Sequence, residues 1–139
     1  MKRIFSTNFT TANVNTALLL LRVAAASFML THGLPKLMNM LAGTSKFGDP
    51  LGLGPELSLG LTVFAEFVCS ILLLLGLATR LALIPLIITM AVAAFVAHAG
   101  DPFGKKEMAF LYLVVFFALL ITGPGKYSVD HAIGGKRRR

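Results

Sequence analysis

Four long apolar runs dominate the chain, at about 16–41, 57–77, 81–98 and 107–122. An α-helix rises about 1.5 Å per residue and a bilayer core is about 30 Å thick, so roughly 20 apolar residues make one crossing. All four runs approach that length. The apolar positions are continuous rather than alternating, which excludes a transmembrane β-barrel. The pattern therefore predicts an all-α, integral membrane four-helix bundle in a single domain over residues 1–139.

The breaks between the runs differ. Residues 42–56 are rich in Gly and Pro and read as an ordered loop outside the membrane. The second and third runs are joined by almost nothing: Gly76 suits a helix C-cap and 78–80 turn the chain, so these helices must form an antiparallel hairpin. Residues 99–106, with Gly100, Asp101, Pro102 and Gly104, link the third to the fourth. Gly-Pro-Gly-Lys-Tyr-Ser-Val-Asp at 123–130 is a turn leading to a short amphipathic segment and a basic tail at 131–139.

Composition supports a lipid environment. Hydrophobic residues make up 56% of the chain and charged residues 14%, too little charge to cover a water-soluble surface of this size. The net charge of +7 would in a soluble domain suggest nucleic acid. Here the cations cluster at the termini and beside apolar runs, so no nucleic-acid partner is expected and the lipid bilayer is the partner they serve. Four crossings place Lys2, Arg3, Arg80, Lys126 and 136–139 on one side, and Lys36, Lys46, Lys105 and Lys106 on the other. The excess predicts that both termini are cytoplasmic in a multi-pass inner-membrane protein. A cleaved signal peptide is not expected, because Arg22 interrupts the first apolar run. The lone Cys69 leaves no intramolecular disulfide or CxxC motif and reads as a small packing residue.

Ionisable residues inside a membrane span are costly and so mark candidate sites. At 100° per residue, Ser58, Thr62, Glu66, Cys69, Ser70, Leu73 and Gly76 share an arc about 120° wide on the second helix. Arg22, Ala25, Ala26, Met29, His32, Gly33 and Lys36 share a similar arc on the first. Two such seams are expected to face each other. Arg22 would then meet Glu66 directly, or through a water or a ligand, in a pair that binds a ligand, relays protons or only fixes helix register. His32 and His98 lie at similar depth near the far ends of their helices and complete the set of ligand-binding or proton-relay candidates. A haem held between them is conceivable, but interfacial hydrogen bonding is the favoured reading. Arg80 and Asp130 are expected to form a structural ion pair joining the hairpin turn to the tail. Neither a metal site nor a nucleotide or hydrolase motif is legible.

Taken in order, Leu-Leu-Leu-Arg22, His32-Gly33-Leu-Pro-Lys36, Phe47-Gly-Asp-Pro-Leu-Gly-Leu-Gly-Pro55, Phe64-Ala-Glu66, Gly76-Leu-Ala-Thr-Arg80, the 98–106 stretch and Gly123-Pro-Gly-Lys-Tyr-Ser-Val-Asp130 resemble the DoxX family of small four-helix membrane proteins. The family takes its name from a membrane subunit of thiosulfate:quinone oxidoreductase, and relatives are linked to thiol and oxidative-stress homeostasis. The resemblance implies a subunit or accessory of a quinone- or thiol-linked redox system, with quinone as the bound molecule and a soluble or membrane oxidoreductase as partner. A carrier or channel for a small anion or acid, or an anchoring subunit without ligand, are the alternatives. Whether the chain catalyses a reaction, or forms a homo-oligomer, is left open by the sequence.

Overall fold

The computed structural model describes residues 7–44 and 46–136, and all regular structure among them is helical. Helix α1 covers Thr11–Leu41, α2 Pro55–Leu75, α3 Thr79–Ala97, α4 Phe103–Thr122 and α5 Val129–Lys136. Five helices stand among the described residues, so the expected four-helix count is not confirmed. The short segment after the last apolar run closes into a helix of its own: the Ser128 hydroxyl accepts from the His131 amide and its carbonyl from the Ala132 amide, while the Asp130 amide donates to the Gly76 carbonyl.

Among the described residues three helices, α1, α2 and α3, are long and apolar enough to cross a membrane. Lys105, Lys106 and Glu107 occupy the first turns of α4 and shorten its apolar stretch. The basic residues Lys2, Arg3 and Arg137 to Arg139 lie outside the described residues.

Local chemistry accounts for the helix ends. Thr10 caps α1, its hydroxyl accepting from the Asn13 amide at 3.2 Å, so the helix starts five residues before the apolar run does. Proline at the first position opens α2. Gly76, at φ 68°, closes it with a left-handed C-cap in which the Leu77 amide reaches the Leu72 carbonyl at 2.9 Å. Ala78 precedes α3 at φ 47°, a conformation that costs an L-residue roughly 1–2 kcal/mol. Alanine offers no capping oxygen, and the cap comes from elsewhere, as described below.

The helices pack in sequence, α1 on α2, α2 on α3 and α3 on α4, and α1 also touches α4 to close the bundle. Ala26, Met29, Cys69, Leu73, Leu83, Leu86, Phe116 and Leu119 fill its centre. The small residues of α1 permit a close approach. A Cβ on Gly33 would lie 2.6 Å from the Glu66 carbonyl carbon and oxygen and 2.8 Å from the Phe67 amide. That contact sets the register: Gly33 lies level with Glu66, and Arg22 lies level with Gly76.

Candidate functional site

Two helices depart from α geometry, and both departures border the same space. The turns at Phe64–Cys69 of α2 and Ala93–Ala97 of α3 are widened to π-helical hydrogen bonding. Such single wide turns recur at functional sites, because they swing side chains out of the regular helical rows. The first carries Glu66, and the second leads into His98.

Between them, at the end of the bundle where α1 finishes and α2 begins, lies a cleft of about 360 Å³. This is near the lower end of the range for small-molecule sites, about 300–1,000 Å³. Leu61, Ile88, Val92, Ala93 and Ala97 form its apolar walls, with Thr62 and Thr89 among them. The 43–54 loop covers it through Phe47, Pro50, Leu51 and Leu53. That loop is held by Asp49, whose carboxylate accepts from the Leu53 and Gly54 amides at 2.8 and 2.9 Å and from the Ser58 hydroxyl at 2.9 Å. The Gly54 amide foremost holds the Asp49 carboxyl below the usual carboxylate range.

The charged floor of the cleft is Lys36 and Glu66. The Lys36 ammonium donates to Glu66 Oε2; the Glu66 side chain is 4% exposed and that of Lys36 30%. His98 stands on the same lining, with its Nδ1 2.8 Å from Asp101 Oδ2. This hydrogen bond is the main reason the Asp101 carboxyl lies below its usual range, and Lys105, 3.7 Å away, adds to it.

The expected Arg22–Glu66 pair does not form. The two residues lie on facing seams, but the Gly33 contact sets them about ten residues apart in register, roughly 15 Å along the axis. Lys36, one turn beyond Gly33 on the same face of α1, reaches Glu66 instead. Arg22 points to the other end of the bundle. Its Nη1 and Nη2 donate to the carbonyls of Pro124 and Tyr127, each at 2.7 Å, and the residue is 2% exposed.

Arg80 and Asp130 do not pair either. Arg80 donates through Nε to the Leu120 carbonyl at 3.2 Å, at the open C-terminal end of α4. Asp130 accepts from the Ala78 and Thr79 amides at 2.7 and 2.9 Å and so supplies the cap that Ala78 lacks. Backbone amides with no intrahelical partner outcompete a flexible arginine here, because they are already fixed in place. Burial raises the Asp130 carboxyl, but the Thr79 and Ala78 amides outweigh it and leave the group below its usual range. The Asp130 amide donates to the Gly76 carbonyl at 2.9 Å, and Asn15 Oδ1 accepts from the Lys126 amide at 2.7 Å. The segment after α4 is thus tied to α1 and to the hairpin turn.

His32 is exposed on α1, its ring edge-on to Tyr112 with centroids 6.2 Å apart, and is not part of the cleft lining. Of the four candidates, Glu66 and His98 share the cleft; Arg22 and His32 do not. Two partners went unrecognised in the sequence. Lys36 lies on the α1 seam one turn from Gly33, and His98-x-x-Asp101 has the i, i+3 spacing of a contacting pair.

The family model for DoxX matches residues 17–99, which carry α1, α2, the covering loop, and α3 with both wide turns. The chain belongs to the DoxX family. It is a membrane protein of that family, all-helical, with long apolar helices. Among curated relatives of this DoxX protein, "Inner membrane protein YphA" of Escherichia coli is 33% identical over 81% of this chain and 87% of its own. "Inner membrane protein YqjF" of the same organism is 28% identical over 85% and 92%. "Putative oxidoreductase CatD" of Bacillus subtilis is 31% identical over 81% and 83%. No solved structure matches the DoxX chain with comparable significance.

Proposed function

We propose that this DoxX protein is the quinone-binding membrane subunit or accessory of a redox system. The observation that carries the reading is the Lys36–Glu66 pair set into an otherwise apolar cleft. A quinone ring is flat and apolar, with carbonyl oxygens that accept hydrogen bonds when oxidised and hydroxyls that donate when reduced. The Lys36 ammonium suits the first form and the Glu66 carboxylate the second. Buried ionisable residues of this kind mark proton or ligand pathways inside membranes. Electrons would pass to or from the redox centre of an oxidoreductase partner, since the sequence shows no cysteine pair or cofactor fingerprint. The name of the Bacillus subtilis relative agrees with this class of chemistry.

The test is lipid extraction and mass spectrometry of protein purified in mild detergent. Quinone is expected at near one equivalent in the wild type, reduced at least tenfold in Lys36→Met. Wild-type protein that carries no quinone would sink the reading. Liposome uptake of a small anion dependent on Lys36 and Glu66 would put transport in its place.

The reading includes four membrane crossings, with α4 as the last, and cytoplasmic termini. Support comes from the excess of Lys and Arg on the side of the termini. Arg22, which reaches the carbonyls after α4, lies at that same end. In a Cys69→Ser background, Lys46→Cys and Lys105→Cys should react with an impermeant thiol reagent from outside intact cells. Outside labelling of Arg80→Cys would reverse the orientation.

A further inference from the structure

The cleft has a second ionisable couple, and its geometry defines which nitrogen carries a proton. Asp101, held below the usual carboxylate range, is an acceptor only, so the His98 Nδ1 facing it at 2.8 Å must carry the hydrogen. In the neutral ring this leaves Nε2 as a lone-pair acceptor. Among the described residues Nε2 makes no hydrogen bond to the protein, while His98 belongs to the lining of the cleft. When the ring gains a proton, the same atom becomes a donor. Asp101 keeps the orientation in both states.

We propose that His98 Nε2, positioned by Asp101, is the group in this cleft that distinguishes the reduced from the oxidised form of a bound quinone. The inference rests on the quinone reading above. Neutral His98 accepts from a hydroquinone hydroxyl; imidazolium donates to a quinone carbonyl. Preference for the two forms therefore inverts when Nε2 gains a proton, with hydroquinone favoured by the neutral ring and quinone by the imidazolium.

Other charged groups around the ring do not duplicate this switch. From α1 and α2 the Lys36–Glu66 pair faces the cleft as a joined cation and anion. From the α3–α4 link and the start of α4, Lys105 lies against Asp101, and Lys106 donates to the Ala99 carbonyl at 3.0 Å. Among the described residues His98 is the histidine of this lining, and histidine is the side chain type that exchanges a ring lone pair for an N–H donor in the physiological range. The 43–54 loop contributes Phe47, Gly48, Pro50, Leu51 and Leu53 to the lining, none of them ionisable.

The experiment measures binding of a short-chain ubiquinone and its hydroquinone to the full chain in lipid nanodiscs, by equilibrium dialysis under anaerobic conditions, between about pH 5 and pH 8. The ratio of the two dissociation constants is expected to swing by roughly three- to tenfold in the wild type, the factor one net hydrogen bond supplies. His98→Ala abolishes the swing while both forms still bind. Asp101→Asn, which no longer fixes the proton on Nδ1, reduces the swing, and Asp101→Glu restores part of it. A swing that survives His98→Ala, or none in the wild type, overturns this inference and leaves the quinone reading standing. Failure of both forms to bind wild-type protein overturns the two together.

Discussion

Arg22→Met destabilises the protein by about 3–5 kcal/mol, because two carbonyls each lose a hydrogen bond from a charged donor. Arg22 is 2% exposed and makes two hydrogen bonds, each 2.7 Å, to the Pro124 and Tyr127 carbonyls. A bond to a charged donor contributes about 1.5–3 kcal/mol, and these part-buried carbonyls deprived of their donor carry some desolvation cost besides. Arg22→Lys recovers only part of the loss, because a single ammonium lacks the planar fork that meets two separate carbonyls. Asp130→Ala falls below Arg22→Met, at about 1–2 kcal/mol, since it removes one cap from α3. The Asp130 contribution also depends on pH with a defined sign. Its folded carboxyl titrates below the ordinary value, so the stabilisation is present above the unfolded pKa and is lost as pH falls through the folded one. Denaturant unfolding in mild detergent measures these differences. An Arg22→Met variant as stable as wild type would show that the segment after α4 is held by other contacts.

Gly33→Ala is expected to cost about 3 kcal/mol, at the upper end for inserting volume into a packed contact. The added carbon would lie 2.6 Å from the Glu66 carbonyl carbon and oxygen, and these are backbone atoms that cannot swing aside. Relief requires α1 to move away from α2. Close approach through small residues is what holds apolar helices together in lipid, where no hydrophobic drive separates helix from solvent. The same displacement draws Lys36 from Glu66, so on the proposed quinone reading Gly33→Ala also lowers quinone retention although Gly33 itself is not in the cleft lining. By contrast Gly60→Ala, on the same bundle but with open space beside it, leaves both unchanged. Equal stability of Gly33→Ala and Gly60→Ala would refute the register described above.

Much of the fold is legible because the bilayer imposes it. Continuous apolar runs of crossing length, a three-residue hairpin turn and a glycine C-cap are local properties, and helices α2 and α3 appear within a few residues of where the pattern puts them. The inward faces of α1 and α2 follow likewise from helical periodicity: Ala25, Ala26, Met29 and Gly33 are buried on one, Glu66, Cys69, Ser70 and Leu73 on the other. The early start of α1 is less visible, since Thr11, Asn13 and Asn15 are polar and the helix there is stabilised by its cap and by the Asn15–Lys126 contact.

Partners were not legible, for a physical reason. A helical wheel gives the angle of a residue about its axis but not its height against the next helix, and a shift of a few turns exchanges every cross-helix contact. The apolar pattern determined that Arg22 and Glu66 turn inward. The approach of Gly33 to the Glu66 backbone decided that Glu66 meets Lys36 while Arg22 meets the carbonyls after α4. Likewise Asp130 took the bare amides of Ala78 and Thr79 rather than Arg80, because those donors exist only once the hairpin turn has closed beside the last helix. The two wide turns that open the cleft left no mark in the sequence, because a π turn is a property of packing rather than of residue type.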